Sequence, residues 1–195
     1  NVQALVQAWE PGSLGGRALA NILAGKVNPS AKLPISIPRH SGQIQMIYNH
    51  KPSQYFHKYI DGPSTPLYPF GFGLSYTRFA YSSLKLSHTR ISDKDSFTAS
   101  IELTNVGDRE GTEVVQLYIR DIYSSATRPV KELKDFARVT LKPGEKKTVT
   151  FTVTPDKLAY WNRNMQYGVE KGEFEIMIGS SSQDKDLKKV KMEVL

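Results

Sequence analysis

Cysteine is absent from the 195 residues, which removes disulfides, thiolate nucleophiles and cysteine-ligated metals together. No apolar run approaches the roughly 20 residues that a membrane-spanning helix needs. The four histidines show neither H-x-H nor H-E-x-x-H spacing, so no zinc or iron site is expected. No G-x-S-x-G elbow is present, and no serine has an evident base partner. Gly15-Gly16 stand where a phosphate cradle would, but neither a Lys-Ser/Thr pair nor G-x-G-x-x-G follows. Close packing of a helix on a strand is the better account of those glycines. Positive charge is in excess, at +7, yet the lysines are scattered. The densest group, Lys185 to Lys191, alternates with apolar residues as a strand would. It reads as a solvated basic face and not as a nucleic-acid surface.

What is present has the balance of an ordinary soluble protein, 39% hydrophobic and 23% charged, so neither disorder nor a membrane class is indicated. The length suits one large domain or two small ones. The chain begins at Asn1, not Met, and shows no signal peptide, which reads as a piece of a longer or processed protein.

The chain is arranged around Pro66 to Phe79, PLYPFGFGLSYTRF. Tyr68, Phe70, Phe72, Leu74 and Tyr76 recur at every second position, the period of an extended strand. Pro69, Gly71, Gly73 and Ser75 between them are small or rigid. Such a strip has one aromatic edge and one nearly bare edge that another surface can approach closely. We read it as a strap joining two structural units.

Before the strap, Ala4 to Trp9 form a short apolar run that stops at Pro11-Gly12, as a buried strand entering a turn would. A helix follows, with Leu19, Ile22 and Leu23 at i, i+3 and i+4 and Gly25 placed to end it. Lys32 to Pro38 make another short strand, flanked by prolines and expected near a sheet edge. These pieces cannot bury their own faces, so this first segment reads as the tail of a larger α/β layer whose beginning is missing. Residues 41–76 form a linker and the aromatic strap. The linker carries His40, Tyr48, Asn49, His50, Tyr55, His57 and Tyr59 at or within its bounds. Such side chains either stack on and hydrogen-bond a sugar or anchor the linker to the body.

Beyond the strap the pattern is β throughout. Leu84 and Leu86 alternate with polar residues, as do Phe97 to Leu103, Val115 to Ile119, Val149 to Val153, Phe174 to Ile178 and Val190 to Val194. With the less regular run 133–141 this gives about seven short strands, separated by turn residues at 106–108, 142–144, 161–164 and 170–172. Residues 77–195 therefore read as a fibronectin type III-like (immunoglobulin-like) β-sandwich, and the whole chain as mainly β. Glycoside hydrolysis usually needs two carboxylates. Asp108, Glu110, Glu173 and Glu175 lie at turns or on outward strand positions, and no complete active site is legible.

Several stretches in order resemble the C-terminal part of family 3 glycoside hydrolases, the β-glucosidase and β-xylosidase family. Trp9-Glu10-Pro11-Gly12 with Gly15-Gly16 is similar to that family's W-x-P-G-x-x-G-G turn. Asn28-Pro29-Ser30-Ala31-Lys32-Leu33-Pro34 resembles N-P-S-G-K-L-P, with alanine replacing a glycine. Tyr48-Asn49-His50 and the strap also match, as do Glu113 to Tyr118, Arg128 to Leu133 and Leu141 to Glu145. The Tyr48 and strap region is most similar to the bacterial periplasmic β-glucosidase branch. Related enzymes often carry Gly-Arg after Tyr-Asn-His, where this chain has Lys51-Pro52.

The resemblance implies a retaining exo-β-glycosidase acting on terminal β-D-glucosyl or β-xylosyl residues of oligosaccharides or glycosides, periplasmic or secreted. It implies an upstream TIM-like barrel and α/β domain of the same enzyme as partners, residues 1–40 as the C-terminal remnant of that α/β sandwich domain, the catalytic aspartate and glutamate before Asn1, and no metal or organic cofactor. No catalytic residue is carried onto this chain. Tyr55, His57 and Tyr59 are expected at the rim of the substrate pocket. The missing partner implies exposed apolar area at Ala4 to Trp9 and at Leu19, Ile22 and Leu23, with self-association through that segment. The alternatives are a stand-alone carbohydrate-binding or adhesive sandwich, for which Tyr118, Tyr160 and Trp161 are the candidate aromatics, and a structural spacer.

Overall fold

Period-two alternation puts Phe97, Ala99, Ile101 and Leu103 on one face of a strand, and the computed structural model buries all four. The structure describes residues 2–43, 45–52 and 62–195. One sheet is built on β4 (Phe97–Asn105). Its one edge pairs with β1 (Phe79–Tyr81) and β2 (Lys85–Leu86), and its other edge with β7 (Lys146–Val153), all antiparallel. The second sheet runs in the order β3 (Arg90–Ile91), β11 (Leu187–Val194), β10 (Gly172–Gly179), β5 (Gly111–Asp121) and β6 (Glu132–Leu141). All seven expected strands are present. Their inward residues meet in one core that includes Val115, Leu117, Ile119, Phe151, Phe174 and Ile176. A short helix, α2 (Pro155–Leu158), leads into a two-stranded ribbon of β8 (Tyr160–Trp161) and β9 (Tyr167–Gly168).

Strand β5 is buried on both faces between Val115 and Ile119. Its core-facing residues join the sandwich interior. On its other face Tyr118 packs with Met177 and Leu187, and Tyr48, Phe70 and Leu133 cover them. The linker and the strap thus form a third layer over the five-stranded sheet, and this layer positions the candidate site.

The first 38 residues depart from expectation in two places. Residues 4–9 form no strand and pair with none among the described residues, Trp9 takes left-handed backbone at φ 52°, and Leu5, Val6 and Trp9 are exposed. An apolar run becomes a sheet strand only when a neighbour takes up its N–H and C=O groups, and none among the described residues does so here. Lys32 to Pro38 do not form a strand either. They pair with the strap: Leu33 N–H donates to Phe72 O, Gly71 N–H to Leu33 O, and Ile37 N–H to Tyr68 O, each at 2.8 Å. Pro34 and Pro38 lack the donors that a longer ladder would use. The helix is α1 (Gly15–Leu23), closed by Gly25 at φ 68°, whose N–H reaches Ile22 O. Gly15 is buried because a Cβ there would stand 2.5 Å from the Pro11 ring. The close packing expected of this glycine is real, but its partner is a turn and not a strand.

The strap also differs from one continuous strand. Phe72 N–H donates to Pro69 O at 3.1 Å around Gly71 at φ 78°, so the chain turns at the middle of the motif. The turn splits the aromatics. Phe70 stacks on Tyr48 at 4.2 Å, while Tyr68 stacks on Phe72 at 5.3 Å. Leu74 is left outside. The bare edge behaves as expected: a Cβ on Gly71 would lie 2.1 Å from Gln116 Oε1, and one on Gly73 2.5 Å from Ala31 O.

Candidate functional site

Asn28 is the centre of the junction between the first segment, the strap and the sandwich. Its Oδ1 accepts from Ser75 Oγ and from Tyr76 N–H at 2.8 Å each, and its Nδ2 donates to Glu110 O at 3.0 Å. Arg138 reaches across to Ser30 Oγ at 3.1 Å, and Tyr76 OH donates to Ile22 O at 2.8 Å. Lys32 Nζ lies 2.8 Å from Glu113 Oε1, with both side chains largely shielded from solvent. Burial, and then the Glu113 charge beside it, hold the Tyr81 hydroxyl well above its usual range. Removing one partner of such a pair strands a buried charge, which costs roughly 3–5 kcal/mol. The Asn28 to Pro34 motif is therefore a clasp.

The linker is tied down at both ends. Arg39 N–H donates to Gln43 Oε1, and the buried Gln43 donates to Pro63 O, each at 2.9 Å. Tyr48 OH accepts from Leu133 N–H at 3.2 Å, and Val130 N–H donates to His50 O at 3.0 Å. Of the two readings open for the linker aromatics, Tyr48 follows the anchoring one. Tyr55, His57 and Tyr59 lie outside the described residues.

Directly beside Pro52 is a groove of about 270 Å³ walled by residues 120–130. Asp121 at its base is nearly enclosed, with 8% of its surface exposed. Burial pushes its carboxyl up to about 6; Arg128 opposes the shift, and the charges of Glu170 and Glu132 add to it. Arg128 pairs with Glu132, and its guanidinium sits 4.3 Å over the Tyr160 ring. Glu170 accepts from Ser125 Oγ at 2.6 Å, from Ser125 N–H at 2.9 Å, and from Tyr160 OH. Those bonds, Ser125 first, hold Glu170 below the usual carboxylate range.

A raised carboxyl beside a lowered one is the arrangement of acid/base sites. Here Glu170 is bonded to Ser125 and Tyr160 and staples the loop between β5 and β6, while Asp121 Oδ2 is buried without a hydrogen-bond partner among the described residues. Five of the six residues of the Arg128 to Leu133 motif are tied to a partner: Arg128 on Tyr160, Val130 on His50, Lys131 on Ser182 O and Asp184, Glu132 on Arg128, Leu133 on Tyr48.

Glu113 and Asp121, the buried carboxylates among the described residues, were missed when the acidic residues were read as solvated. The signal was present. Both share the parity of Val115, Leu117 and Ile119 and so face the core side of β5. They stand at opposite ends of the strand, eight residues or about 26 Å apart. The exposed aromatic row that a sugar-binding sandwich needs is also absent from the expected residues, because Tyr118 and Tyr160 are buried. Tyr118 belongs to the layer under the linker, and Tyr160 lies beneath Arg128.

The sandwich defines a class, the fibronectin type III-like domains, and a family model of that description matches residues 113–182. The model of the glycosyl hydrolase family 3 C-terminal domain matches residues 1–76. The chain is 46% identical over 189 residues to a periplasmic β-glucosidase of Salmonella typhimurium, covering 92% of this chain and 25% of that protein. A β-xylosidase of Formosa agariphila is 44% identical over 197 residues, covering 100% of this chain and 27% of the relative. Among solved structures, a β-glucosidase from Erythrobacter marinus superposes with a TM-score of 0.92 at 44% identity, over 96% of this chain and 25% of that one. A Listeria innocua β-glucosidase in complex with glucose gives 0.89 at 37% identity, over 96% and 27%. The chain belongs to glycoside hydrolase family 3 and corresponds to the C-terminal part of its members. It spans about a quarter of the length of the relatives it matches.

Proposed function

We propose that this chain is the C-terminal portion of a retaining exo-β-glycosidase that releases terminal β-D-glucosyl, or β-xylosyl, residues from oligosaccharides or glycosides. Kinship with β-glucosidases and a β-xylosidase supports the substrate class. The observation that carries the division of labour is the placement of Glu113 and Asp121. A glycosidase pair stands roughly 5–10 Å apart, and these two are far beyond that reach. The nucleophile and the acid/base are then supplied from upstream of Asn1, where a glycosyl–aspartate forms and water releases the sugar.

Within this reading, residues 1–40 complete the α/β domain, 41–76 form the linker and strap, and 77–195 brace the catalytic units. Tyr55, His57 and Tyr59 line the pocket rim, a place their aromatic and imidazole side chains suit by stacking on and hydrogen-bonding a sugar. Likeness to a periplasmic relative supports a periplasmic or secreted location. No helix among the described residues is long and apolar enough to cross a membrane.

The test is hydrolysis of aryl β-glucoside and aryl β-xyloside by the 195-residue chain beside the same chain with its upstream region restored. Turnover is expected only from the longer protein, and the faster substrate names the sugar. Turnover by the 195 residues alone would sink the reading and point to Asp121 and Glu170. In the longer protein, Y55A with H57A is expected to raise KM; unchanged kcat and KM would remove these residues from the rim.

A further inference from the structure

The hairpin of β8 and β9 holds three large side chains in solvent: Trp161 at 61% exposed, Met165 at 76% and Tyr167 at 56%. Trp161 and Tyr167 are directly opposed across the ribbon, with ring centroids 5.4 Å apart and planes inclined at 53°. A loosely held aromatic would be an ordinary surface feature. This pair is held firmly from both ends.

At the root, the residue before Trp161 is Tyr160, buried under the Arg128 guanidinium and hydrogen-bonded to Glu170. Alternation along the strand then turns Trp161 outward. At the tip, Asn162 Oδ1 accepts from Asn164 N–H at 2.9 Å and from Gln166 N–H at 3.1 Å. Asn162 N–H donates to Gln166 O, and Met165 N–H to Asn162 O, each at 3.0 Å. Met165 occupies left-handed backbone at φ 57°, where glycine or asparagine is usual and other side chains are strained. Strain at an exposed apolar residue is a feature that function often explains.

We infer that the Trp161–Tyr167 pair is a preorganised platform for a neutral saccharide chain. The chemistry of the neighbours selects that occupant. An aromatic face accepts the C–H face of a pyranose ring, and the same hairpin carries Asn164, Gln166 and Arg163, whose side chains are of the kind that hydrogen-bond hydroxyls. From Tyr160 to Gly168 the hairpin carries a single charged residue, Arg163, too little to recruit a polyanion. Three side chains are too small an area for a stable protein interface, which buries on the order of 800 Å² per partner. The inference takes its ligand class from the glycosidase reading but needs no hydrolysis.

The experiment is a titration of the 195-residue chain carrying W9F, so that Trp161 is the sole indole, with cellotetraose and with xylotetraose. A saturable change in Trp161 emission is expected with at least one of them. Y167A is expected to weaken that binding roughly fivefold to tenfold, and Y167F to retain it. Unchanged emission with both sugars, or a Y167A variant that binds as well as its parent, would overturn the inference. Because emission reports binding alone, a silent platform leaves the hydrolysis result standing. A saturable signal in a protein whose longer form hydrolyses nothing would sink only the glycosidase reading.

Discussion

The carboxamide of Asn105 is fully buried and makes four hydrogen bonds: Nδ2 donates to Arg109 O and Leu141 O, while Oδ1 accepts from Thr77 Oγ1 and Gly107 N–H. Every bonding position of the amide is used, which is how a polar group is kept inside a sandwich without penalty. Asp121 is the opposite case. Its carboxyl is enclosed without a full set of partners, and burial lifts it to about 6, above the value of about 3.9 it takes in an unfolded chain. The folded state therefore holds this proton more tightly. Its contribution to stability is complete below about pH 4 and is lost as pH rises through about 6. Two pKa units bound the effect at about 3 kcal/mol. Denaturant unfolding of the parent and of D121N at several values between pH 4 and pH 8 measures it. The asparagine variant should gain on the parent as pH rises through that window. A constant difference between the two would contradict the burial argument.

At the scale of elements, the strap is the piece whose conformation decides the most. Gly71 needs its left-handed φ for the turn and needs its missing Cβ because Gln116 lies against it. Gln116 in turn donates to Gly71 O and Ser180 O, so the turn is bonded to two parts of the outer layer. Gly71→Ala is therefore expected to destabilise by roughly 2 kcal/mol or more, seen as a melting point lower by about 4–8 °C. Gly168→Ala is the control, since nothing lies within 4 Å of the added methyl. Equal melting points for the two variants would mean that the strap is not packed as described.

For the whole molecule, the asymmetry of exposure matters most. The sandwich is sealed on its core side and under the linker, whereas residues 2–27 leave Leu5, Trp9, Leu14 and Leu23 in solvent. Large apolar side chains left in solvent along one segment mark a contact surface. The 195-residue chain alone is expected to self-associate through it. Sedimentation velocity over a wide concentration range should show species larger than 21.9 kDa. The double variant L5D/L23K should return the chain to a monomer. A parent that stays monomeric throughout would remove self-association from the account.

The sandwich was legible in the sequence because half-buried antiparallel strands write their burial as alternation, and turn residues mark where they stop. The end of α1 at Gly25 and the close approaches at Gly71 and Gly73 were legible for the same local reason: backbone angle and missing side chain are properties of one residue. Pairing is not local. Whether residues 4–9 become a strand depends on a neighbour, and Lys32 to Pro38 took the strap as theirs only in three dimensions. The aromatic period of the strap predicted one extended edge, and tertiary contacts with Gln116 and Tyr48 folded it into a turn instead. Parity placed Glu113 and Asp121 inward, but only the folded chain shows one neutralised by Lys32 and the other enclosed beside Arg128. The sequence determined the strands, the turns and the family resemblance. The tertiary structure decided the clasp at Asn28, the tie of the groove loop to Tyr160 and Glu170, and the outward face of Trp161 set by Tyr160 under Arg128, because each depends on contacts between segments distant in the chain.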